Sequence, residues 1–195
     1  MGSHNNQLLF LDEETTGLGE TAEIWDWACI EEDGSETVVC MPVDISRAEE
    51  DALKVNRYYL RFDECYKKYG MDGASGALVI AKKTTGKTIV GNNVGPFDTR
   101  HMRTLLNKHG LKPAWNHRVI DVVDLAAGVL GLKHPYTARQ VSELLGVERN
   151  GDEHTALGDA RWNKKIYELA VKFGGREHRL QTLKSGLVAV LKADF

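Results

Sequence analysis

The stretch F-L-D-E-E-T-T-G-L, residues 10–18, places three consecutive carboxylates directly after an apolar segment. Residues 7–11 predict a short buried strand, and buried strands do not normally end in three acids. Because alternate residues of an extended chain point to the same side, we expect Asp12 and Glu14 on one face and Glu13 on the other. Two carboxylates on one face repel each other unless a cation lies between them. With no Cys or His beside them, these oxygen ligands suit Mg²⁺ or Mn²⁺.

An exposed acidic turn is the alternative interpretation of this stretch, with Thr15, Thr16 and Gly17 supplying ordinary turn chemistry. The pattern D-x-E-T-T-G, however, specifies five residue types. At roughly 6% usage for each type, a chance match in a chain of this length is of order one in ten thousand. The choice between the two interpretations depends on whether other parts of the chain supply matching acids.

Length and composition are those of an ordinary globular domain, with 195 residues, 42% of them hydrophobic and 27% charged. The net charge of −3 argues against a protein that wraps nucleic acid by bulk charge, but it allows a strand end to be held locally. No apolar run approaches the roughly 20 residues that span a membrane, and we expect neither a membrane segment nor a signal peptide. Cys29, Cys40 and Cys65 form no C-x-x-C pair and predict free thiols in a reducing cytoplasm.

The predicted elements alternate between strands and helices after an opening run of three strands. Strands are predicted at residues 7–11, 23–31, 37–41, 87–90 and 118–122. Helices are predicted at residues 47–55 with Ser46 as N-cap, 59–69, 77–83 after a Gly-rich connection at 71–76, 98–109, 124–130, 137–145 and 154–173. This order predicts an α/β domain with a mixed five-stranded sheet, in which an antiparallel meander is joined to parallel strands and flanked by helices.

The C-terminal segment is expected to form a separate tail helix. Gly174 and Gly175 predict the end of the preceding helix. Apolar residues then recur at helical spacing at Leu180, Leu183, Leu187, Val190 and Leu191. We expect a single domain over residues 1–195, with its core at about 7–173 and a tail helix at 174–195. The tail helix docks either on its own core or on a partner, such as a polymerase or a second copy of the chain.

Two further segments carry acids at positions that follow predicted strands or open predicted helices. The segment G-N-N-V-G-P-F-D, residues 91–98, places Asp98 at the start of a helix, where an N-capping role is the alternative. The segment H-T-A-L-G-D-A, residues 154–160, places His154 and Asp159 five residues apart. On a helix, that spacing separates them by roughly 140° around the axis, so they do not share a narrow face, although His154 at the start of the helix can swing over the site. A surface or capping role is the alternative for His154.

Taken together and in this order, the three segments resemble the motifs of the DEDDh 3′–5′ exonucleases, the DnaQ-like family with a ribonuclease H-like fold. Asp12 and Glu14 match the first motif of that family, and Asp98 matches the second. His154 and Asp159 match the third motif. Because the chain carries all four acids and the histidine, the resemblance favours the metal site over the acidic turn.

The resemblance runs from about Gln7 to Phe173. Between the motifs, A-L-K-V-N at residues 52–56 resembles the helix that lines the 3′-terminal nucleotide. V-I-D-V-V-D-L-A at residues 119–126 resembles the strand and helix that precede the third motif. Three departures concern the subfamily and substrate rather than the metal site. Asn92-Asn93 stands where many relatives carry His-Asn, and Asp26 stands where they usually carry Glu. The loop to Phe97-Asp98 is also one residue longer than in the polymerase-proofreading type.

The resemblance implies a metal-dependent 3′–5′ exonuclease that releases 5′-mononucleotides from DNA or RNA with two divalent cations, Mg²⁺ or Mn²⁺. It implies that Asp12, Glu14 and Asp159 hold the first ion and that Asp12 bridges to the second, with Asp98 acting partly through waters. His154 would take the proton from the attacking water, a role that suits an imidazole near neutral pH. The runner-up function is a retired nuclease fold that serves as a nucleic-acid-binding or polymerase-associated scaffold.

The expected partner is the 3′ end of a single-stranded nucleic acid in the cytoplasm. The residues expected to contact that end, on the same resemblance, are Thr15, Thr16, Gly17, Leu18, Asn56, Asn93 and Phe97. For Leu18, packing in the core is an equally open alternative. Trp25 and Trp27 are expected to pack in the core rather than to stack on bases.

Overall fold

The fold is built on a five-stranded mixed sheet, seen here in a computed structural model that describes residues 7–149 and 151–193, with side chains described as far as residue 175. The strands are β1 (Leu8–Thr15), β2 (Ile24–Glu31), β3 (Glu36–Cys40), β4 (Thr88–Gly91) and β5 (Ile120–Asp121). Their order across the sheet is β3-β2-β1-β4-β5, with β1 to β3 antiparallel and with β4 and β5 parallel to β1. The predicted fold class is confirmed.

Strand β1 is longer than its apolar residues predict, because it continues through all three acids to Thr15. The partner strand β2 pairs with it from Leu9 to Thr15, and the register shifts only between Glu14 and Thr15. The strand predicted at residues 7–11 therefore ended too early. Backbone pairing with β2 holds the acids in an extended conformation. The prediction was based on the pattern of apolar residues, and that pattern does not show which polar residues pair with another strand.

Seven helices are described, and five of them cover the two faces of the sheet. The helices are α1 (Glu50–Val55), α2 (Tyr58–Tyr69), α3 (Gly73–Thr84), α4 (Asp98–Lys108), α5 (Val122–Val129), α6 (Ala138–Leu145) and α7 (Ala156–Ala193). Leu9 and Leu11 of β1 pack into a cluster with side chains of α3 and α4. Phe10 packs on the other face, with side chains of α5, α6 and α7. Strand alternation therefore directs Asp12 toward α7 and Glu13 toward α4.

Two predicted helix boundaries were wrong because short polar turns were misread. The helix predicted at 47–55 is interrupted: a 3₁₀ turn at Ile45–Arg47, capped by Asp44 rather than Ser46, precedes α1. The Gly-rich connection predicted at 71–76 is mostly helical, because the Asp72 carboxylate accepts from the backbone N–H groups of the first turn of α3.

The predicted stop at Gly174 and Gly175 was also wrong, because α7 runs without a break from Ala156 to Ala193. Two glycines in a helix interior cost about 1 kcal/mol each relative to alanine, which lowers helix stability without requiring an end. The apolar side chains predicted for the tail, and residues 194 and 195, lie outside the described part. Among the described residues, no helix combines the length and hydropathy that crossing a bilayer requires.

Candidate active site

Asp12 and Glu14 lie on the α7 face of β1, where the first turn of α7 brings Asp159 to them. The side-chain amide of Asn163 in α7 donates to the Leu11 carbonyl over 2.9 Å and ties this helix to β1. Ligand atoms of Glu14, His154 and Asp159 all lie within 4.8 Å of one another. The first and third sequence motifs, at least 140 positions apart in the chain, therefore form one cluster.

Asp98 is the first residue of α4 and is only 3% exposed. It does not cap the helix: the N-cap position is Phe97, so the capping alternative was wrong. Burial, followed by the negative charge of Glu13, raises the pKa of Asp98 well above its usual range, although the backbone N–H of Glu13 also donates to this carboxylate. The charge of Asp98 in turn adds to the effect of burial in raising the pKa of Asp12. The second motif therefore joins the other two at the carboxyl ends of β1 and β4.

Burial and mutual repulsion together raise the pKa values of these acids. Burial, followed by the charges of Asp98, Asp159 and Glu14, raises the pKa of Asp12 well above its usual range. Burial, followed by Asp159 and Asp26, raises the pKa of Glu14 to about 8. Clustered carboxylates in a low-dielectric environment are stabilised by divalent cations, and this oxygen-rich donor set with one imidazole fits Mg²⁺ or Mn²⁺.

The sequence predicted that His154 begins the final helix, but His154 lies in the turn that precedes α7. Its backbone is in the left-handed region, with φ of 57°. Its N–H donates to Asp159 Oδ2 over 2.9 Å, and its carbonyl accepts from Arg61 Nη1 over 2.7 Å. The side chain is exposed beside Glu14 and Asp159, so the imidazole meets solvent at the edge of the acidic cluster.

A glycine in the third motif permits this turn. A Cβ on Gly158 would lie 2.2 Å from the Asp152 carbonyl and 2.7 Å from Thr155 Oγ1. The segment before α7 can therefore fold over the first turn of the helix only where no side chain intervenes. The Thr155 hydroxyl also accepts from the Gly158 N–H over 3.0 Å, which closes the turn that presents His154.

The segment after the acids is a tight turn, and its threonines make internal hydrogen bonds. Thr15 Oγ1 donates to the Gly17 carbonyl over 2.6 Å, and Thr16 Oγ1 accepts from the Glu23 N–H over 2.9 Å. Leu18 is 67% exposed, so the core alternative for it was wrong. The Asn56 amide donates to the Thr15 carbonyl over 2.9 Å, which places the end of α1 beside this turn.

The remaining predicted contact residues lie around Asp98. Asn93 is exposed, has φ of 53°, and donates its backbone N–H to Asp121 Oδ2 over 2.6 Å. The Phe97 ring packs edge-on against the His101 ring, with centroids 4.5 Å apart. Trp25 and Trp27 are fully buried, which confirms their prediction as core residues.

Sequence reasoning missed the charged side chains that support these segments. Glu49 accepts from the Leu18 and Gly19 N–H groups, and Arg100 donates to the Leu18 carbonyl over 2.7 Å. Arg149 donates to Asp159 Oδ1, and its guanidinium lies 4.3 Å from the centre of the Trp162 ring. These residues stand outside any motif and have no periodic spacing, so the sequence carries no signal for them.

Comparisons with known proteins agree with this geometry. The model of the RNase T family, described as exonuclease, matches residues 9–167. The structure is similar to that of E. coli exonuclease I with a dT13 oligonucleotide, with a TM-score of 0.69, 20% identity, and 90% of this chain and 43% of that chain covered. For the zinc-bound E. coli exonuclease I complex with single-stranded DNA, the TM-score is 0.64 and the identity 20%, with coverage of 94% and 43%. Among curated proteins, no sequence match was found.

The fold and the family match place the chain in the ribonuclease H-like superfamily. The match over residues 9–167 then shows the family, and the chain belongs to the DEDDh-type, DnaQ-like exonucleases. The chain spans less than half the length of the exonuclease I chains it resembles.

Proposed function

We propose that this chain is a metal-dependent 3′–5′ exonuclease that removes 5′-mononucleotides from the 3′ end of single-stranded DNA or RNA. The observation that carries the proposal is the gathering of Glu14, Asp159 and His154 within 4.8 Å, beside Asp12 and Asp98. Exonuclease I, which shares the fold at 20% identity, is described in complexes with dT13 and dA16 oligonucleotides. Single-stranded DNA is therefore the first substrate to test.

The carboxylates are proposed to hold two divalent cations. Asp12, Glu14 and Asp159 would hold one ion, Asp12 would be shared with the second, and Asp98 would act partly through waters. When bound, the two ions would activate a water molecule and stabilise the charge on the leaving 3′-oxygen. The raised pKa values of Asp12 and Glu14 support this assignment, because buried acids of like charge need a cation to remain ionised together.

His154 is the proposed general base. It accepts a proton as the water oxygen bonds to phosphorus and the bond to the 3′-oxygen breaks, so the released nucleotide keeps its 5′-phosphate. The exposed position of the imidazole at the cluster edge lets it return that proton to solvent. Its backbone N–H is already bonded to Asp159, so the base and a proposed metal ligand move together.

The turn after β1 is proposed to grip the terminal nucleotide. Leu18 is exposed and can pack against the last base, while Glu49 and Arg100 hold the turn from both sides. Asn56 is 3% exposed, and its Oδ1 is without a hydrogen-bond partner among the described residues. That oxygen is the acceptor we propose for the terminal 3′-hydroxyl.

A digestion assay tests the proposal. Single-stranded DNA, RNA and duplex DNA, each labelled at the 5′ end, are incubated with the protein and Mg²⁺ or Mn²⁺, with Asp12→Ala as the inactive control. We expect a ladder that shortens from the 3′ end, with 5′-mononucleotides as products. Internal cleavage, shortening from the 5′ end, or near-normal turnover by Asp12→Ala would overturn the proposal.

A further inference from the structure

Two arginines near the start of α2 donate to consecutive carbonyls of the turn that carries His154. Arg57 Nη2 donates to the Glu153 carbonyl over 2.6 Å. Arg61 Nη1 donates to the His154 carbonyl over 2.7 Å. These residues are more than 90 positions apart in the chain, so both contacts arise only from the packing of α2 beside the turn. We call the two arginines the arginine clamp, and residues 151–155 the His154 segment.

Apart from the two arginines, few contacts hold the conformation of the His154 segment, and the main one is the bond from the His154 N–H to Asp159 Oδ2 over 2.9 Å. Glu153 and His154 are exposed, so the segment buries little apolar surface there. A non-glycine residue with positive φ, such as His154, costs about 1 kcal/mol or more unless its surroundings impose that conformation. The bonds from Thr155 to Asp152 and Gly158 are local and close the turn without tying it to the rest of the molecule.

Arg61 connects the His154 segment to the sheet. Its Nη2 donates to Asp26 Oδ2 over 2.5 Å, and Asp26 is 2% exposed. Asp26 lies directly opposite Glu14 in the pairing of β1 and β2. The Arg61 guanidinium also lies 4.9 Å from the centre of the buried Trp25 ring, which limits its movement. One planar guanidinium therefore reaches both the strand beside Glu14 and the backbone of His154.

We propose that the arginine clamp positions His154 over the carboxylate cluster. Arg57 and Arg61 are positioning residues that hold the backbone of the His154 segment in one conformation. Because the segment is already ordered, little conformational entropy is lost when the imidazole faces Glu14 and Asp159. The expected effect of the clamp on kcat rests on the proposed function, the hydrolysis of nucleic acid. The conformational consequence, a segment held by two side-chain donors, can be measured without any activity.

The decisive variant is Arg57→Met, because it removes one donor and leaves the pair of Arg61 and Asp26 intact. The matched control is Arg118→Met, an exposed arginine before the start of β5. We expect amide hydrogen exchange in the His154 segment to be at least about fivefold faster in Arg57→Met than in the control. We expect kcat to fall by about tenfold, while KM and Mn²⁺ affinity stay close to the control values.

Arg61 is tested by the conservative replacement. Arg61→Lys keeps a cation beside Asp26 but cannot donate in two fixed directions, so we expect kcat between that of the wild type and that of Arg61→Gln. Since Arg61→Gln leaves a buried carboxylate unpaired, its thermal unfolding is measured in parallel. Equal kcat for Arg61→Lys and Arg61→Gln in folded proteins would contradict the positioning role.

Three results with Arg57→Met would overturn the proposal: unchanged exchange in the His154 segment, faster exchange with unchanged kcat, or a change in KM alone. The failure of the proposed function gives a different result. If the wild-type protein digests none of the substrates, the exonuclease proposal fails, whereas the exchange difference between Arg57→Met and Arg118→Met still decides whether the clamp holds the segment.

Discussion

The two halves of the candidate site are held in place by different forces. Asp12 and Glu14 lie on the central strand β1, which pairs with β2 on one side and β4 on the other, next to the fully buried Leu9 and Leu11. His154 lies on an exposed segment whose long-range contacts include arginine bonds to backbone carbonyls. The carboxylates are thus part of the core, whereas the proposed base depends on a few polar contacts that a single substitution can remove.

The buried acids have a cost in stability, because burial raises their pKa values, including those of Asp98 and Asp159. Burial raises the pKa values of Asp12 and Glu14, so near neutral pH the folded state disfavours the ionised forms that the unfolded state accepts freely. A group whose folded pKa is raised destabilises the fold as the pH rises above its unfolded value. The acids therefore lower the free energy of unfolding near neutral pH, and a bound cation would restore that loss.

The largest expected effect follows from removing one buried charge. Asp12→Asn is expected to lose on the order of a thousandfold or more in kcat, because it removes the carboxylate proposed to be shared by the two metal ions. The same change should raise the melting temperature in EDTA at pH 7, since a repelled carboxylate has become neutral. Thermal unfolding with and without Mn²⁺ checks this, and a lower melting temperature in EDTA would contradict the account of the sheet half.

Glu13 and Glu14 lie on opposite faces of β1, and comparing their variants tests whether only the α7 face binds metal. Glu14→Gln should lose Mn²⁺ binding and most activity. Glu13 points to the other face, where its Oε1 lies 3.0 Å from Nδ1 of His101, and both side chains are fully buried. Glu13→Gln keeps a group of the same shape there and should remain active and bind Mn²⁺ normally. Calorimetric titration of both variants checks the prediction, and equal losses would show that the two faces are not distinct.

Arg149 tests whether a cation on the turn competes with metal. Because Arg149 donates to Asp159, a metal ion that takes this oxygen must displace the guanidinium. Arg149→Met should therefore bind Mn²⁺ more tightly, by a factor of about two to five. Electron paramagnetic resonance of free Mn²⁺ measures this affinity. Weaker binding in the variant would mean that Arg149 organises the site instead of competing for it.

The smallest effect is expected far from both halves, at the ion pair between Glu36 of β3 and Arg161 of α7. The pair makes two hydrogen bonds of 2.7 and 2.8 Å, and Arg161 lowers the pKa of Glu36. Its stabilisation is present above the unfolded pKa and is lost as the pH falls through the lower folded value. Glu36→Gln should cost about 0.5 kcal/mol at pH 7 and almost nothing at about pH 2, where the carboxyl group is protonated in both the folded and the unfolded state. Urea unfolding at both pH values checks this, with Mn²⁺ affinity unchanged as the control.

Local rules were sufficient for part of the site. Strand alternation placed Asp12 and Glu14 opposite Glu13, and Asp98 was expected where a helix begins, both from short-range geometry alone. The same rules failed where contacts from distant elements decide the conformation. β1 extends through its acids because β2 pairs with them, and His154 leaves the helix because Gly158 lets the turn fold over α7.

By itself, the sequence determined the order of strands and helices, the acids of the three motifs and the family to which they belong. Those features depend on residue type and spacing, which a chain carries whether or not it is folded. Only the tertiary structure decided that Leu18 is exposed, that Arg149 lies on Asp159, and that Arg57 and Arg61 hold the turn before α7. A hydrogen bond between residues more than 90 positions apart exists only once packing has brought them together, and no local pattern records it.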